Sequence, residues 1–75
     1  MKELVEYVAK SLVDDPSQVE VTEFRRAGSV ILRLHVAQED KGRVIGRNGR
    51  VANAIRDLLR VAAARQEKRV TLEIE

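Results

Sequence analysis

The amino-acid sequence predicts an α+β domain with the element order α-β-β-α-α-β, in which helices cover one face of a three-stranded sheet. Three observations lead to this fold class. Apolar residues recur at helical spacing over residues 2–13 and again over residues 50–65. Apolar and polar residues alternate over residues 18–24, 29–36 and 69–74, as in strands with one buried face. The chain has 75 residues, enough for one core, so we expect residues 1–75 to form a single domain.

The first half of the chain predicts a helix followed by an antiparallel hairpin. Pro16 ends the helix, because the residue before a proline avoids helical backbone angles. The segment RRAGS, residues 25–29, reads as the turn between the two strands. The residues predicted to face the core are Leu4, Val5, Val8 and Leu12 in the helix, Val19 and Val21 in the first strand, and Val30, Leu32, Leu34 and Val36 in the second.

The second half predicts two helices and a final strand. A short helix covers the segment QEDKGRVI, and its first turn carries Glu39 and Asp40, whose negative charge the helix dipole stabilises. A longer helix runs from about residue 50 to residue 65, and the strand RVTLEI completes the sheet. The residues predicted to face the core are Val51, Ile55, Leu58 and Ala62 in the long helix and Val70, Leu72 and Ile74 in the strand.

Length and composition argue against several classes of protein. The chain has no cysteine, so it has neither a disulfide nor a thiolate-bound metal. No apolar run approaches the ~20 residues that cross a bilayer, and charges interrupt the first twelve residues, so we expect a cytoplasmic protein without a membrane partner. A cleft for two substrates is hard to build in 75 residues, whereas a binding surface is easy to build.

The basic residues are concentrated in one segment. Residues 41–69 carry nine basic side chains against two acidic ones, whereas the rest of the chain carries five basic and ten acidic side chains. A positive segment on an otherwise acidic protein favours a polyanion as partner. A solvated, arginine-rich helix without a partner would explain the charge alone equally well.

Two glycines, Gly46 and Gly49, lie between the two predicted helices and enclose Arg47 and Asn48. Glycine reaches backbone angles closed to other residues and lets another chain approach the backbone closely. The long helix begins near the second glycine, so its free N–H groups and positive dipole end point at the turn. This pattern is typical of a phosphate-binding turn, and a plain corner between two helices is the alternative. The basic side chains around the turn are Lys41, Arg43, Arg47 and Arg50.

Other phosphate-binding and catalytic motifs do not fit the sequence. A Walker loop requires G-x-x-x-x-G-K-[ST], but Gly42 and Gly46 are too close and no Lys-Ser or Lys-Thr follows. A Rossmann fingerprint requires G-x-G-x-x-G directly after a strand, and here a helix precedes the glycines. The single histidine, His35, takes an outward position on a strand, and the serines have no base partner. We therefore predict a protein that is not an enzyme and that uses no cofactor and no metal.

The segment VIGRNGRVANAI resembles the signature of the KH domain, and the order α-β-β-α-α-β is that of the type II KH fold. The whole chain resembles the small bacterial single-KH proteins of the KhpA family. The resemblance implies that the loop grips the backbone of about four nucleotides of single-stranded RNA or DNA. It also implies that the bases lie in an apolar groove between the helices and an adjacent strand, within residues 30–36. The implied binding residues are Gly46, Arg47, Asn48, Gly49, Arg50, Lys41, Arg43, Val44, Ile45 and Ala54, with Val51 and Ile55 either in the groove or in the core.

The resemblance also implies a cellular role and partners. The family resemblance predicts an RNA-binding protein that acts as a post-transcriptional regulator or RNA chaperone. It further predicts pairing, as a homodimer and with a larger KH-containing partner of the Jag type. Ala54, Val61 and Ala63 lie at the edges of the apolar stripe of the long helix, where two of the three are small enough for close helix contact. The alternative is a protein-interaction or dimerisation module in which RNA binding is secondary.

Overall fold

The computed structural model describes all residues, 1–75. It confirms the predicted α+β class and the order α-β-β-α-α-β. Single 3-10 turns cover residues 16–18, 38–40 and 47–49. The helices and strands are α1 (Lys2–Leu12), β1 (Glu20–Arg26), β2 (Ser29–His35), α2 (Lys41–Ile45), α3 (Arg50–Arg65) and β3 (Arg69–Ile74).

The three strands form one mixed sheet with β2 in the centre. β1 pairs with β2 in the antiparallel sense, as the predicted hairpin requires, and Val21 lies opposite Leu34. β3 pairs with β2 in the parallel sense, with Leu72 opposite Leu32. A parallel pair needs a long crossover, which here consists of α2, the glycine loop and α3. β1 and β3 are therefore the two edges of the sheet.

The β1–β2 turn is tighter than the sequence predicts. Arg25 and Arg26 were expected in the turn but continue β1, and only Ala27 and Gly28 remain between the strands. Both turn residues have positive φ, 29° and 86° respectively. Two-residue hairpin turns with positive φ match the natural twist of the paired strands, which explains why β1 extends further.

The core lies between the sheet and the helices, which cover one face. The predicted inward residues of β2 are all buried, as are Val5 and Ala9 of α1 and Leu72 of β3. The other sheet face is open, and there the guanidinium of Arg33 lies over the ring of Phe24 at 5.2 Å from its centroid. A sheet with one buried face gives the alternating pattern seen in the sequence.

The buried face of α3 differs from the predicted one. We expected Val51, Ile55, Leu58 and Ala62 to face the core, but the buried residues are Ala52, Ile55, Leu59 and Ala63. Leu58 is 53% exposed. Both sets have the spacing of a helical stripe and share Ile55, so periodicity alone could not separate them. The buried face is the one with more alanine, because small side chains let α3 approach its neighbours closely.

Asp40 has a second role besides the predicted one. It lies in a helical first turn, as expected, and is the N-cap residue of α2. Its buried carboxylate also accepts the backbone N–H groups of Asp14 and Asp15 at 3.1 and 3.2 Å. Arg43 forms ion pairs with Asp14 at 3.0 Å and with Asp40 at 3.8 Å. These contacts attach α2 to the connection between α1 and β1. No buried side-chain polar atom in the protein lacks a hydrogen-bond partner.

Candidate nucleic-acid interface

The loop between α2 and α3 has an unusual backbone. Gly46, Asn48 and Gly49 have φ values of 76°, 58° and 76°, so three of its four residues have positive φ. The N–H of Gly49 donates to the carbonyl of Gly46 at 3.1 Å, and the N–H of Gly46 donates to Gly42 at 2.8 Å. Gly46 combines its φ with a ψ of 171°, a region that only glycine normally occupies. Asparagine tolerates the left-handed region better than most residues, so the loop sequence matches its conformation.

Packing is a second reason why position 46 requires glycine, besides its backbone angles. A Cβ atom at Gly46 would lie 2.5 Å from Cγ2 of Val51 and 2.9 Å from the backbone nitrogen of Val51. At Gly49 the nearest atom to such a Cβ is Nδ2 of Asn53, at 3.8 Å. Gly46 is therefore required for both angle and space, whereas Gly49 is required for its angle alone. The loop backbone lies directly against the first turn of α3.

The N-terminus of α3 faces the same loop. Gly49 is the N-cap residue, and no side chain caps the helix. The N–H groups of the first turn are thus free of side-chain partners, and the positive end of the helix dipole is at the loop. A loop backbone and a helix terminus together form a surface that suits a phosphate.

The predicted cations around the loop fall into two groups. Arg47 and Arg50 are exposed, Lys41 is half-buried, and none of the three takes part in an ion pair. Arg43 is different, because its guanidinium forms ion pairs with Asp14 and Asp40. We therefore remove Arg43 from the candidate phosphate contacts and keep the other three.

The apolar residues predicted to line a groove also fall into two groups, one buried and one exposed. Val44 is 0% exposed and belongs to the core, and Ile55 is buried as well. Ile45 and Ala54 are exposed, and Val51 is half-buried beneath the loop. The apolar residues within 30–36 that face the helices are buried, so this strand cannot form a groove wall as predicted. A groove for bases would therefore have to lie beside another strand.

The strand beside α3 is β3, and a cleft of about 140 Å³ lies between them. Arg56 crosses this cleft, where its guanidinium donates to the carbonyl of Leu72 and to Oδ1 of Asn53, both at 3.3 Å. The predicted core stripe through Val51, Ile55 and Leu58 would place Arg56 on the back of α3, and the structure shows that this placement is wrong. The residues that line the cleft are Arg56, Leu59, Arg60, Val70, Thr71 and Leu72.

The sequence did contain a signal for Arg56. Position 56 is four residues after Ala52 and three before Leu59, so it lies on the stripe that is actually buried. The predicted stripe is the neighbouring one, and it places Arg56 on the wrong side of the helix. Arg60 and Thr71 had no such signal, because only the strand order shows that β3 lies beside α3.

The outer backbone groups of β3 face the same cleft. Arg69 and Glu75 donate their N–H groups inward, to the carbonyls of Gly28 and Leu34 on the β2 side. Alternate residues of a strand direct their backbone groups to opposite sides, so those of Val70, Leu72 and Ile74 point to the open edge. The bond from Arg56 to the Leu72 carbonyl agrees with this direction. An edge strand with unpaired N–H and C=O groups can recognise another molecule by hydrogen bonds.

No group of three or more metal-ligating side chains comes together in the structure. His35 is exposed on the open sheet face, where its Nδ1 lies 3.9 Å from a carboxylate oxygen of Glu75. None of the helices has the length and apolar character needed to cross a membrane.

The element order, the mixed sheet and the glycine loop between two helices define a KH domain of type II. A comparison with protein families agrees, since the family model described as "KhpA/KhpB, KH domain" matches residues 2–74. The chain belongs to this KhpA/KhpB family of KH domains.

Curated relatives match over nearly the whole chain. The proteins named RNA-binding protein KhpA from Clostridium acetobutylicum and Clostridium perfringens are each 53% identical over 74 residues, which is 99% of both chains. The protein of that name from Treponema pallidum is 48% identical over 73 residues, covering 97% of this chain and 91% of its own.

A solved structure supports the fold. The structure of Era in complex with MgGDPNP and nucleotides 1506–1542 of 16S ribosomal RNA superposes with a TM-score of 0.58 and 19% sequence identity. The match covers 97% of this chain and 28% of the Era chain. Part of a larger RNA-bound protein therefore has the same fold.

Proposed function

We propose that this protein binds short single-stranded RNA through the loop Gly46–Gly49 and acts as a post-transcriptional regulator or RNA chaperone. The names of the curated relatives support RNA as the ligand. The observation that carries the proposal is the loop itself, in which Gly46 is packed against Val51 with no room for a side chain. This contact holds the loop against the first turn of α3, so the loop backbone lies beside the uncapped N-terminus of the helix, where a phosphate would bind.

The loop would hold the sugar-phosphate backbone in three ways. Backbone N–H groups of the loop and of the first turn of α3 would donate to phosphate oxygens. The exposed side chains of Arg47 and Arg50 would add positive charge, and Asn48 would add a side-chain amide. Because the loop conformation is fixed before binding, little ordering free energy is lost when RNA arrives.

The bases would lie in the cleft between α3 and β3. The half-buried side chain of Val70 provides apolar contact there, and the open backbone edge of β3 provides donors and acceptors. The two aromatic residues lie elsewhere, since Tyr7 is on α1 and Phe24 is on the open sheet face. Base stacking on rings therefore contributes little, so we expect weak affinity and a loose sequence preference from one domain.

A second candidate function is protein interaction, which an apolar stripe on α3 favours. Leu58 and Val61 are 53% and 60% exposed, and Ala54 is exposed on the same side of the helix. Ala63, which we expected on this surface, is buried in the core and is removed from it. The stripe Ala54–Leu58–Val61 would pair with a second copy of this chain or with a larger KH protein of the Jag type.

The test uses a loop variant with a matched control. Arg47→Asp with Asn48→Asp places two negative charges where phosphate should bind, and aspartate tolerates the left-handed angles of residue 48. The control, Lys10→Asp with Gln18→Asp, makes the same charge change at exposed positions away from the loop. We expect the loop variant to lose nearly all binding to a labelled single-stranded RNA while its circular dichroism spectrum is unchanged. Binding retained by the loop variant would disprove the site.

A second variant separates the two candidate functions. Leu58→Glu places a charge in the apolar stripe and leaves the loop and the cleft intact. If RNA binding is the main function, this variant binds RNA normally even when sedimentation shows a change in oligomeric state. If RNA binding depends on pairing, Leu58→Glu weakens both together.

A further inference from the structure

Positive charge without an ion-pair partner occurs at both ends of α3. At the loop end these cations are Lys41, Arg47 and Arg50. At the other end Arg26, Lys68 and Arg69 surround the β1–β2 turn, and we call these three residues the hairpin cluster. The two ends of α3 are ~24 Å apart, because the helix has 16 residues and rises ~1.5 Å per residue.

The sheet register brings the hairpin cluster together. Arg26 is opposite Ser29 across β1 and β2, and Ser29 is opposite Arg69 across β2 and β3. Two strand spacings therefore separate Arg26 from Arg69 by roughly 10 Å. The N–H of Arg69 donates to the carbonyl of Gly28 at 3.0 Å, which fixes the start of β3 against the turn.

A continuous set of clefts connects the cleft beside β3 to the hairpin cluster. The cleft that contains Arg56 shares Arg60 and Thr71 with a second cleft, which adds Lys68 and Arg69. Lys68 also lines a third cleft of about 150 Å³ at the β1–β2 turn, together with Arg25, Arg26 and Ser29. The first two clefts follow α3 from its middle to its C-terminal end, and the third lies at the β1–β2 turn.

The charge along these clefts has a single sign. No aspartate or glutamate lines any of the three. The cleft at the opposite end of the open sheet face differs, because Glu20 and Glu75 line it together with Arg33 and His35. The sheet therefore has a basic end and a mixed end, and only the basic end continues the cleft between α3 and β3.

The backbone on both sides of the hairpin cluster is strained. Ala27, which follows Arg26, has a φ of 29°, and Glu67, which precedes Lys68, has a φ of 55°. Ala27 belongs to the two-residue β1–β2 turn, and Glu67 lies in the turn that ends α3, where the N–H of Lys68 donates to the carbonyl of Ala63 at 3.0 Å. The two strained turns place Arg26 and Lys68 at the same cleft.

We propose that the hairpin cluster is a second phosphate-contact site, which receives the same RNA strand after it has passed between α3 and β3. This inference rests on the proposed function. A stacked strand advances ~3.4 Å per nucleotide, so the 24 Å path takes about seven nucleotides, and fewer if the strand is stretched. The loop alone grips about four nucleotides. The protein therefore prefers a single strand of about eight nucleotides to a tetranucleotide.

The experiment compares labelled RNA tetramers and octamers of mixed sequence, corrected for the larger number of binding registers in the octamer. The hairpin variant is Arg26→Gln with Arg69→Gln. The control variant, Lys10→Gln with Arg65→Gln, removes the same charge from exposed residues that line none of the clefts. A third variant, Arg26→Lys with Arg69→Lys, keeps the charge and should behave as the unchanged protein.

We expect all these variants to bind the tetramer equally. For the octamer, loss of two phosphate contacts should reduce affinity about 25-fold at 0.1 M salt and flatten the salt dependence by about 1.4 in the hairpin variant alone. An octamer that binds no more tightly than the tetramer, or an octamer advantage that survives in the hairpin variant, would overturn the inference. The proposed function fails separately, if the loop variant still binds the tetramer.

Discussion

Two tight turns in this protein use glycine for different reasons. Gly46 opens the loop between α2 and α3, and a Cβ there would lie 2.5 Å from a side-chain carbon of Val51. Gly28 closes the β1–β2 turn, where a Cβ would meet no atom within 4 Å. Both residues have positive φ, 76° and 86°. The loop therefore requires glycine for conformation and for space, and the hairpin turn requires it for conformation only.

The difference shows how each turn is held. The loop backbone rests on the first turn of α3, so core packing fixes the direction of its N–H groups. The hairpin turn is open on its outer side, and hydrogen bonds hold it: the pairing of β1 with β2 and the bond from the N–H of Arg69 to the carbonyl of Gly28. A ligand site that must be rigid before binding is better placed at the first turn, because preorganisation reduces the free-energy cost of binding.

The largest effect that we predict is at Gly46. Gly46→Ala forces a left-handed alanine into contact with Val51, so we expect the free energy of unfolding to fall by about 2–4 kcal/mol. RNA binding should weaken as well, because the loop must move away from α3. Urea unfolding followed by circular dichroism measures the first effect. Gly49→Ala is the comparison, since Gly49 has the same φ of 76° but a ψ of 13° and no close contact, so its loss should be smaller. An equal loss in both variants would contradict the argument that packing and ψ make Gly46 the more restricted position.

A smaller effect is expected at the hairpin. Gly28→Ala creates no close contact and only forces an alanine to adopt positive φ. The free energy of unfolding should therefore fall by about 1 kcal/mol. In a domain of this size that cost lowers the melting temperature by about 4–8 °C. Thermal melts of the Gly28 and Gly46 variants side by side test the comparison. If Gly28→Ala is the more damaging, the hairpin turn is packed more tightly than the structure shows.

The smallest effect concerns the charge of the loop. We expect binding of a single strand to depend on salt with a slope of about −1.5 to −3 in log affinity against log salt concentration. Arg47→Ala should flatten this slope by about 0.7, which corresponds to one phosphate contact. Lys10→Ala is the matched control and should leave it unchanged. Arg56 is unsuitable as a control because it lines the cleft beside β3. Equal slopes in both variants would mean that the positive charge of residues 41–69 acts diffusely.

Most of the fold could be predicted from the sequence, because each segment has a clear period. The alternation Val30, Leu32, Leu34 was read correctly, and the ends of α3 and β3 agree with the predicted ranges. The buried face of α3 was not predicted correctly, because two stripes with helical spacing share Ile55. The burial of Asp40 also had no local signal, because its partners Asp14 and Asp15 are about 26 residues earlier in the chain.

The candidate site was partly predictable for the same reason. The glycine loop is a local feature, and its conformation follows from residues 46–49 alone. The cleft beside it depends on which strand packs next to α3, and strand order is a long-range property. We therefore identified Arg47 and Arg50 from the sequence but not Arg60 or Thr71. The involvement of Arg43 in an ion pair with Asp14 likewise required the tertiary structure.

The parallel pairing of β2 with β3 has a consequence for the order in which the protein folds. Ser29 pairs with Arg69 across about 40 residues, whereas β1 and β2 are neighbours in sequence. Closing a long chain segment costs entropy, so non-local pairs form late on the folding pathway. The hairpin and the helices can form before β3 docks, but the cleft beside α3 cannot. A folding intermediate that lacks β3 would therefore carry the glycine loop without the surface that we propose for bases, and under this proposal nucleotide binding would report the final step of folding.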